Sequence, residues 1–204
     1  MFDLKLTRSV SVVIVAVLAL GVMLGFGPAP LPAAEEELPL NFQVTAVNMS
    51  NVGPRGQARL QIRVNRWSTD EERAKLMEAL AAQSGQARDR TLADTLFGKE
   101  PVGTIREQQS LSYDLRYSRS FETPEGGRQI ILATDRRIGF AESWRSSRTL
   151  DYNVSLIVLQ LDAEGRGEGQ LMLGAEFVWD DEKNQVVITN FSSEPIRLTS
   201  VRQR

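Results

Sequence analysis

Apolar and polar residues alternate along three stretches of the chain. Ala58, Leu60, Ile62 and Val64 are interleaved with Gln57, Arg59, Gln61, Arg63 and Asn65. Leu111, Tyr113, Leu115, Tyr117 and Phe121 alternate with Ser112, Asp114, Arg116 and Ser118, and Leu171, Leu173, Ala175 and Phe177 repeat the rhythm. A period of two turns one face to a core and the other to water, so each stretch predicts a half-buried strand. Shorter runs at 42–48, 102–106, 128–134, 138–143, 186–191 and 195–201 read as further strands. Turn-forming clusters separate them, among them 51–56, 123–127, 162–167 and 192–195. About ten strands with no helix between most of them predict antiparallel meander connections rather than βαβ units.

Several of these strands run to about 10 residues, beyond the usual ~5–6. Long alternating strands curl, and closing the sheet buries one continuous apolar face. The expected fold is therefore mainly β, an antiparallel meander closing into a small barrel or half-barrel with a two-helix insertion. A two-sheet sandwich is the second choice. Gly169 and Gly174 are the expected places for a bend or bulge.

One segment changes period. Ser68-Thr69-Asp70-Glu71-Glu72 combines an N-cap, first-turn acids and a capping box in either of two registers, Ser68 with Glu71 or Thr69 with Glu72. It predicts a helix over 69–84 with Ala74, Met77, Leu80 and Ala81 as its apolar stripe. A second helix is predicted over 87–97, with Leu92, Ala93, Leu96 and Phe97 on one face and Gly98 as its stop. The strand at 151–161 is apolar on both sides, with Val154, Leu156 and Val158 on one face and Ile157, Leu159 and Leu161 on the other. It should lie between the sheet's core and the helix pair.

The opening of the chain follows a different logic. Lys5 and Arg8 precede an apolar run from Val10 to Phe26, then a Pro- and Ala-rich exit ending at Ala34, then Glu35, Glu36 and Glu37. Residues 1–34 read as a secretory signal peptide or, because ~17 apolar residues reach the lower limit for spanning a bilayer, as an N-terminal membrane anchor. Residues 35–41 read as a linker and 42–204 as a single β-rich domain with its helical insertion at about 69–97. The expected location is periplasmic or extracellular, with membrane contact only if residues 10–26 are retained.

Composition narrows the chemistry. The 204 residues include no cysteine and no histidine, which excludes disulfides, thiolate nucleophiles, Cys/His zinc sites and imidazole bases. A formal net charge of −2 lacks the basic excess of nucleic-acid binders, so no nucleic-acid partner is expected. Beyond residue 34, 19 of the 22 basic residues are arginine. That bias reads as genome composition with some surface ion pairing, and no function is attached to it. No cofactor is implied, since there is neither a G-x-G-x-x-G at a strand-to-helix junction nor a Walker lysine.

No metal site is expected either. Asp180, Glu182 and Asn184 open like a calcium loop, but Gln185 and Phe191 stand where glycine and glutamate are needed. Asp162, Glu164 and Glu168 around Gly165 and Gly167 read as a hairpin turn. The N-x-S sequons at Asn48, Asn153 and Asn190 are short enough to arise by chance. Asp114, Asp135, Glu142 and Asp151 each have arginines nearby and read as structural ion pairs. Brought together they would give a histidine-free route to glycosidic hydrolysis, but no catalytic residue is assigned.

Aromatic residues supply the candidate ligand contacts: Trp67, Trp144 and Trp179 at strand ends, with Tyr113 and Tyr117 on a strand. The leading expectation is a non-enzymatic exported barrel that binds a small apolar or amphipathic ligand or a cell-envelope partner. A carboxylate hydrolase acting on an envelope polysaccharide comes second, and a structural envelope domain without ligand third. Convergent acids would favour the hydrolase, an apolar cavity ringed by tryptophan the binder, and a filled barrel the structural domain.

Ala133-Thr134-Asp135 resembles part of the Thr-Asp-Tyr element of lipocalins. Arg136 stands in place of the tyrosine, and the Gly-x-Trp of that family's first strand is missing, so the likeness is one of architecture only. The runs Leu111 to Tyr117 and Ile131 to Arg136, with the preceding helices, resemble uncharacterised exported bacterial β-rich proteins. That resemblance implies compartment and architecture over most of 35–204, and no activity or site.

Overall fold

The computed structural model describes residues 37–48, 56–81, 90–107, 112–135, 138, 154–173, 175–180, 185–191 and 195–204. For 80–81, 90–93, 175–180 and 185–191 it describes the backbone alone. The predicted signal or anchor over 1–34 lies outside the described residues, as does most of the strand predicted at 138–143.

Strands β1 (Leu40–Asn48) and β2 (Gly56–Val64) pair, and helices α1 (Asp70–Ala81) and α2 (Arg90–Phe97) follow. Then come β3 (Gly103–Glu107), β4 (Ser112–Leu115), β5 (Tyr117–Glu122), β6 (Arg128–Thr134), β7 (Ser155–Leu161) and β8 (Arg166–Met172). A separate hairpin of β9 (Ala175–Asp180) and β10 (Gln185–Phe191) precedes β11 (Ile196–Gln203). The other nine strands form one antiparallel sheet in the order β4-β3-β2-β1-β11-β8-β7-β6-β5. This is the expected meander, curled into a nearly closed barrel with the last strand paired to the first. The helices are inserted between β2 and β3, and the extra hairpin between β8 and β11.

The stretch predicted as one strand from Leu111 to Phe121 breaks at Arg116, and its halves form the two ends of the sheet order. β4 pairs with β3, Leu115 opposite Gly103, whereas β5 pairs with β6, Tyr117 opposite Ala133. Barrel strands are tilted and staggered, so one strand can meet different neighbours along its length. The Arg116 N–H donates to the Ala133 carbonyl at 2.8 Å, and the Val102 N–H to the Leu115 carbonyl at 2.8 Å. The free edge of β5 is covered by the segment leaving β2. Ser68 N–H donates to Ser118 O at 2.9 Å, and Ser118 N–H donates back to Ser68 Oγ at 3.1 Å. An edge satisfied in this way offers no template for another strand.

Alternation sorts the apolar residues into two cores. The inward positions of β1, β2, β3, β4, β6, β7, β8 and β11 meet in one apolar cluster that includes Phe42, Leu60, Ile62, Ile105, Leu115 and Ile130. Each such side chain contributes roughly 1.5–3 kcal/mol on burial, so this interior is the main source of stability. Outside the sheet, Ile131, Ala133, Val154, Leu156, Val158 and Met172 are covered by Leu76 of α1 and Leu96 of α2. The two faces of β7 divide as the sequence predicts, with Ile157, Leu159 and Leu161 inward.

Three details differ from expectation. On α1 the buried positions are Leu76 and Ala79 with Met77 half-buried, while Ala74 is exposed. The surface beneath the helix sets its rotation, and a stripe of small residues is too weak to override it. Phe97 is 61% exposed because Leu96, about 100° away on the helix, takes the side facing the sheet. Gly169 pairs regularly with Leu159 and Leu198 rather than forming a bulge, and Gly174 lies outside the described residues. In the nine-stranded sheet the bulge is on β11, where the register shifts between Leu198 and Val201, and the β9–β10 hairpin has a second irregularity between Ile188 and Asn190. Gly167 and Gly169 serve close approach instead: a Cβ there would strike the carbonyl oxygens of Gln160 and Val158.

Gly167→Ala should therefore cost about 2 kcal/mol or more in urea unfolding, because backbone must move to admit the methyl group. Gly56→Ala, where a Cβ meets nothing within 4 Å, should stay within ~0.5 kcal/mol of the parent.

Candidate functional site

The aromatic candidates whose side chains are described, Trp67, Tyr113 and Tyr117, do not share one face of the sheet. Trp67 and Tyr113 are half-buried and pack against the interior cluster. Tyr117, with only 7% exposure, belongs to the outer cluster beneath the helices, and burial there pushes its hydroxyl pKa up. The sheet itself separates it from the other two, since the break at Arg116 reverses the faces. Trp179 lies opposite Val186 in the β9–β10 hairpin, and Trp144 lies outside the described residues.

A polar cluster gathers at the barrel seam. Thr69 and Glu72 form the capping box: Thr69 N–H donates to Glu72 Oε2 at 2.9 Å and Glu72 N–H to Thr69 Oγ1 at 3.2 Å. This register is selected because Ser68 is engaged with Ser118. Arg66 grips the same carboxylate with two nitrogens, at 2.9 and 3.0 Å, and holds its pKa down at about 2. A bidentate guanidinium–carboxylate pair is both oriented and charge-assisted. Arg116 continues the cluster, donating to the Lys99 carbonyl at 2.7 Å and pairing with Asp114 at 3.1 Å and Asp135 at 3.6 Å. The fold thus brings two of the predicted carboxylates to one arginine. Both carboxylates are engaged by the same guanidinium, which makes the arrangement a structural ion triad rather than a pair of free acids. Glu142 and Asp151 lie outside the described residues.

The acidic hairpin is structural as well. Asp162 Oδ1 accepts the N–H groups of Glu164 at 3.0 Å and Arg166 at 2.8 Å, folding the turn around Gly165 at φ 71°.

A different chemistry occupies the outer face of β2-β1-β11. Gln43 on β1 lies opposite Gln61 on one side and Arg202 on the other. Thr45 lies between Arg59 and Thr199, and Asn41 opposite Arg63. The Arg204 N–H donates to the Asn41 carbonyl at 2.8 Å, extending the pattern past the end of β11. Neutral side chains along β1 are thus flanked by longer arginines on both neighbours, which makes a trough. It holds a cleft of about 240 Å³ lined by Gln43, Thr45, Arg59, Ser200, Arg202 and Arg204, among others. Strands β1, β2 and β11 contain no Asp or Glu. Arg63 bonds Asn65 at 2.9 Å and Arg106 bonds Gln61 at 2.8 Å, whereas Arg59, Arg202 and Arg204 make no ion pair among the described residues.

The β11 bulge builds this surface. Ile196 and Leu198 point inward, so uninterrupted alternation would turn Ser200, Arg202 and Arg204 inward too. One extra residue resets the phase, returning Val201 to the interior cluster and leaving Arg202 exposed. The reset is achieved at Ser200, whose φ of 52° costs a non-glycine residue roughly 1–2 kcal/mol. Strain of this kind is retained where the surroundings over-determine it, commonly at binding sites. Sequence reasoning passed over this site. The available signal was the absence of acids from the polar face at 57–63 and from the last strand, but only sheet pairing sets those segments side by side.

The chain matches no protein-family model, no curated protein and no solved structure. Among the described residues no three metal-ligating side chains gather, and no helix is long and apolar enough to cross a membrane.

The seam cluster makes stability depend on pH in a defined direction. Glu72 has a depressed folded pKa, so its contribution is complete above about pH 4.5 and is lost as pH falls toward about 2. Glu72→Gln preserves the capping pattern and removes the ion pair. It should cost about 1 kcal/mol in urea unfolding around pH 6, the pair being partly screened by solvent, and the deficit should vanish near pH 2.

Proposed function

We propose that this protein is a non-enzymatic, exported binding module of the cell envelope that engages an anionic partner through the outside of its barrel. One observation carries the reading: three adjacent strands hold no acidic residue and present arginines on their outer face, in a chain whose net charge is −2. Segregated charge creates a local potential that the net value conceals. The interior supports the same reading. Phe42, Leu60, Ile62, Ile130, Leu132, Ile157 and Leu159 are each under 2% exposed and serve the core, which weighs against an apolar or amphipathic ligand held inside the barrel. The hydrolase reading has less support, since Asp114 and Asp135 are both paired with Arg116. The charged, then apolar opening of the chain supports the exported location.

A net-negative protein should pass through a cation-exchange matrix at about pH 8 unless its positive charge is concentrated. Retention at low salt and elution as salt screens the contact are expected. The double variant Arg59→Glu/Arg202→Glu should flow through. Flow-through of the parent protein would sink the proposal. A tryptophan fluorescence response to a panel of apolar and amphipathic molecules would instead restore the interior as the binding site.

A further inference from the structure

We propose that the trough over β1 is a binding site for a phosphoryl group, a deepening that rests on the surface-binding reading above. Arg59 and Arg202 stand on opposite sides of β1, in successive rows of the register, with Gln43 and Thr45 between them. Guanidinium groups on two walls address an anion whose oxygens point in several directions. A carboxylate, planar with two oxygens, is satisfied by a single fork. The cleft of about 240 Å³ admits one small anionic group together with part of whatever carries it.

The neutral groups sharpen the choice. The Gln43 amide and the hydroxyls of Thr45 and Ser200 line the cleft beside the arginines, and each can accept as well as donate a hydrogen bond. Inorganic phosphate and phosphate monoesters carry a proton over part of the neutral range, whereas sulfate has none to offer. Ser200 reaches the cleft through the same bulge that turns Arg202 outward, so a strained residue and a charged wall come from one backbone irregularity.

The site has no titrating partner of its own. The chain contains no histidine, and the side chains that line the cleft include no carboxylate, only arginine, amide, hydroxyl and aliphatic groups. A change in affinity between about pH 5 and 8 is therefore expected from the ligand: a phosphate monoester gains its second charge near pH 6, and inorganic phosphate roughly one unit higher, still inside that range.

The test is calorimetric titration of the full-length protein with inorganic phosphate, at about pH 5 and about pH 8, with sodium sulfate as comparison. One saturable phosphate per chain is expected, binding several-fold more tightly at the higher pH. Arg59→Gln and Arg202→Gln should each weaken it by about tenfold, and Arg202→Lys should recover only part of the loss because the fork is gone. Thermal unfolding of each variant shows whether it remains folded. Arg119→Gln, on β5 away from the trough, should bind as the parent does.

Vesicles of phosphatidylcholine with and without phosphatidate separate the sources. Capture by the phosphatidate vesicles, reversed by free phosphate, identifies a lipid headgroup as the carrier, and phosphate binding without vesicle capture identifies a soluble one. Sulfate binding as tightly as phosphate with no pH dependence would overturn the phosphoryl assignment. So would retention on the cation exchanger without phosphate binding, and in both cases the surface-binding reading stands. Failure of phosphate binding and of retention together would remove both.

Discussion

The rest of the structure depends on closure of the sheet at Arg116. A single extended segment leaves β3 and arrives at β6, and the residue between its halves is held by backbone and side chain together. Its N–H is bonded to Ala133 and its guanidinium to Lys99 and Asp114, with Asp135 alongside. An open sheet of nine strands would expose either its aliphatic face or two bare edges. Closure removes the first problem by facing the strands inward on one another. It reduces the second to a short seam that Ser68 covers from β2's side. The helical insertion is therefore part of the closure rather than an ornament on it, because its entry segment is what pairs with β5.

Closing the barrel leaves two exteriors with opposite character. The outside of β6-β7-β8 is apolar and needs cover, which α1 and α2 provide through Leu76 and Leu96. The outside of β2-β1-β11 is polar, and the described residues leave it open. Strand β7 is apolar on both sides because it has cores on both sides, whereas β1 carries Asn41, Gln43 and Thr45 outward because it faces solvent. With the interior side chains buried and one flank covered, the polar flank of β2-β1-β11 is the one that the described residues leave facing solvent.

That flank illustrates how core packing and surface charge draw on the same backbone. Regular alternation along β11 would be less strained, but it would send arginines into an aliphatic core, where an unpaired guanidinium is not tolerated. The bulge at Ser200 accepts a left-handed residue and keeps both sides satisfied: Val201 joins the interior and Arg202 the surface. Arginine suits such a surface because its charge does not change over physiological pH and its planar fork is pre-organised.

Much of the fold was legible in the residues alone. Period-two alternation identified most of the strands, the two-faced pattern of β7 predicted its place between two cores, and the capping-box spacing, in either of its two registers, located the helix start, since these depend on neighbours a few residues apart; the run from Leu171 to Phe177, read as one strand, divides instead into β8 and β9 of different sheets. The break at Arg116 was not legible, because the hydrophobic rhythm continues from Leu115 to Tyr117 while the partner strand changes. Nor was the arginine trough. Arg59 and Arg202 are each an ordinary polar position on an alternating strand, and nothing local marks them as a pair. They become one surface only because β1 pairs with the segment after it and with the last strand of the chain. Local pattern determined what each segment would become; long-range pairing across the barrel decided which charges meet, since the free energy that closes the sheet comes from its interior and is indifferent to what the outer face carries.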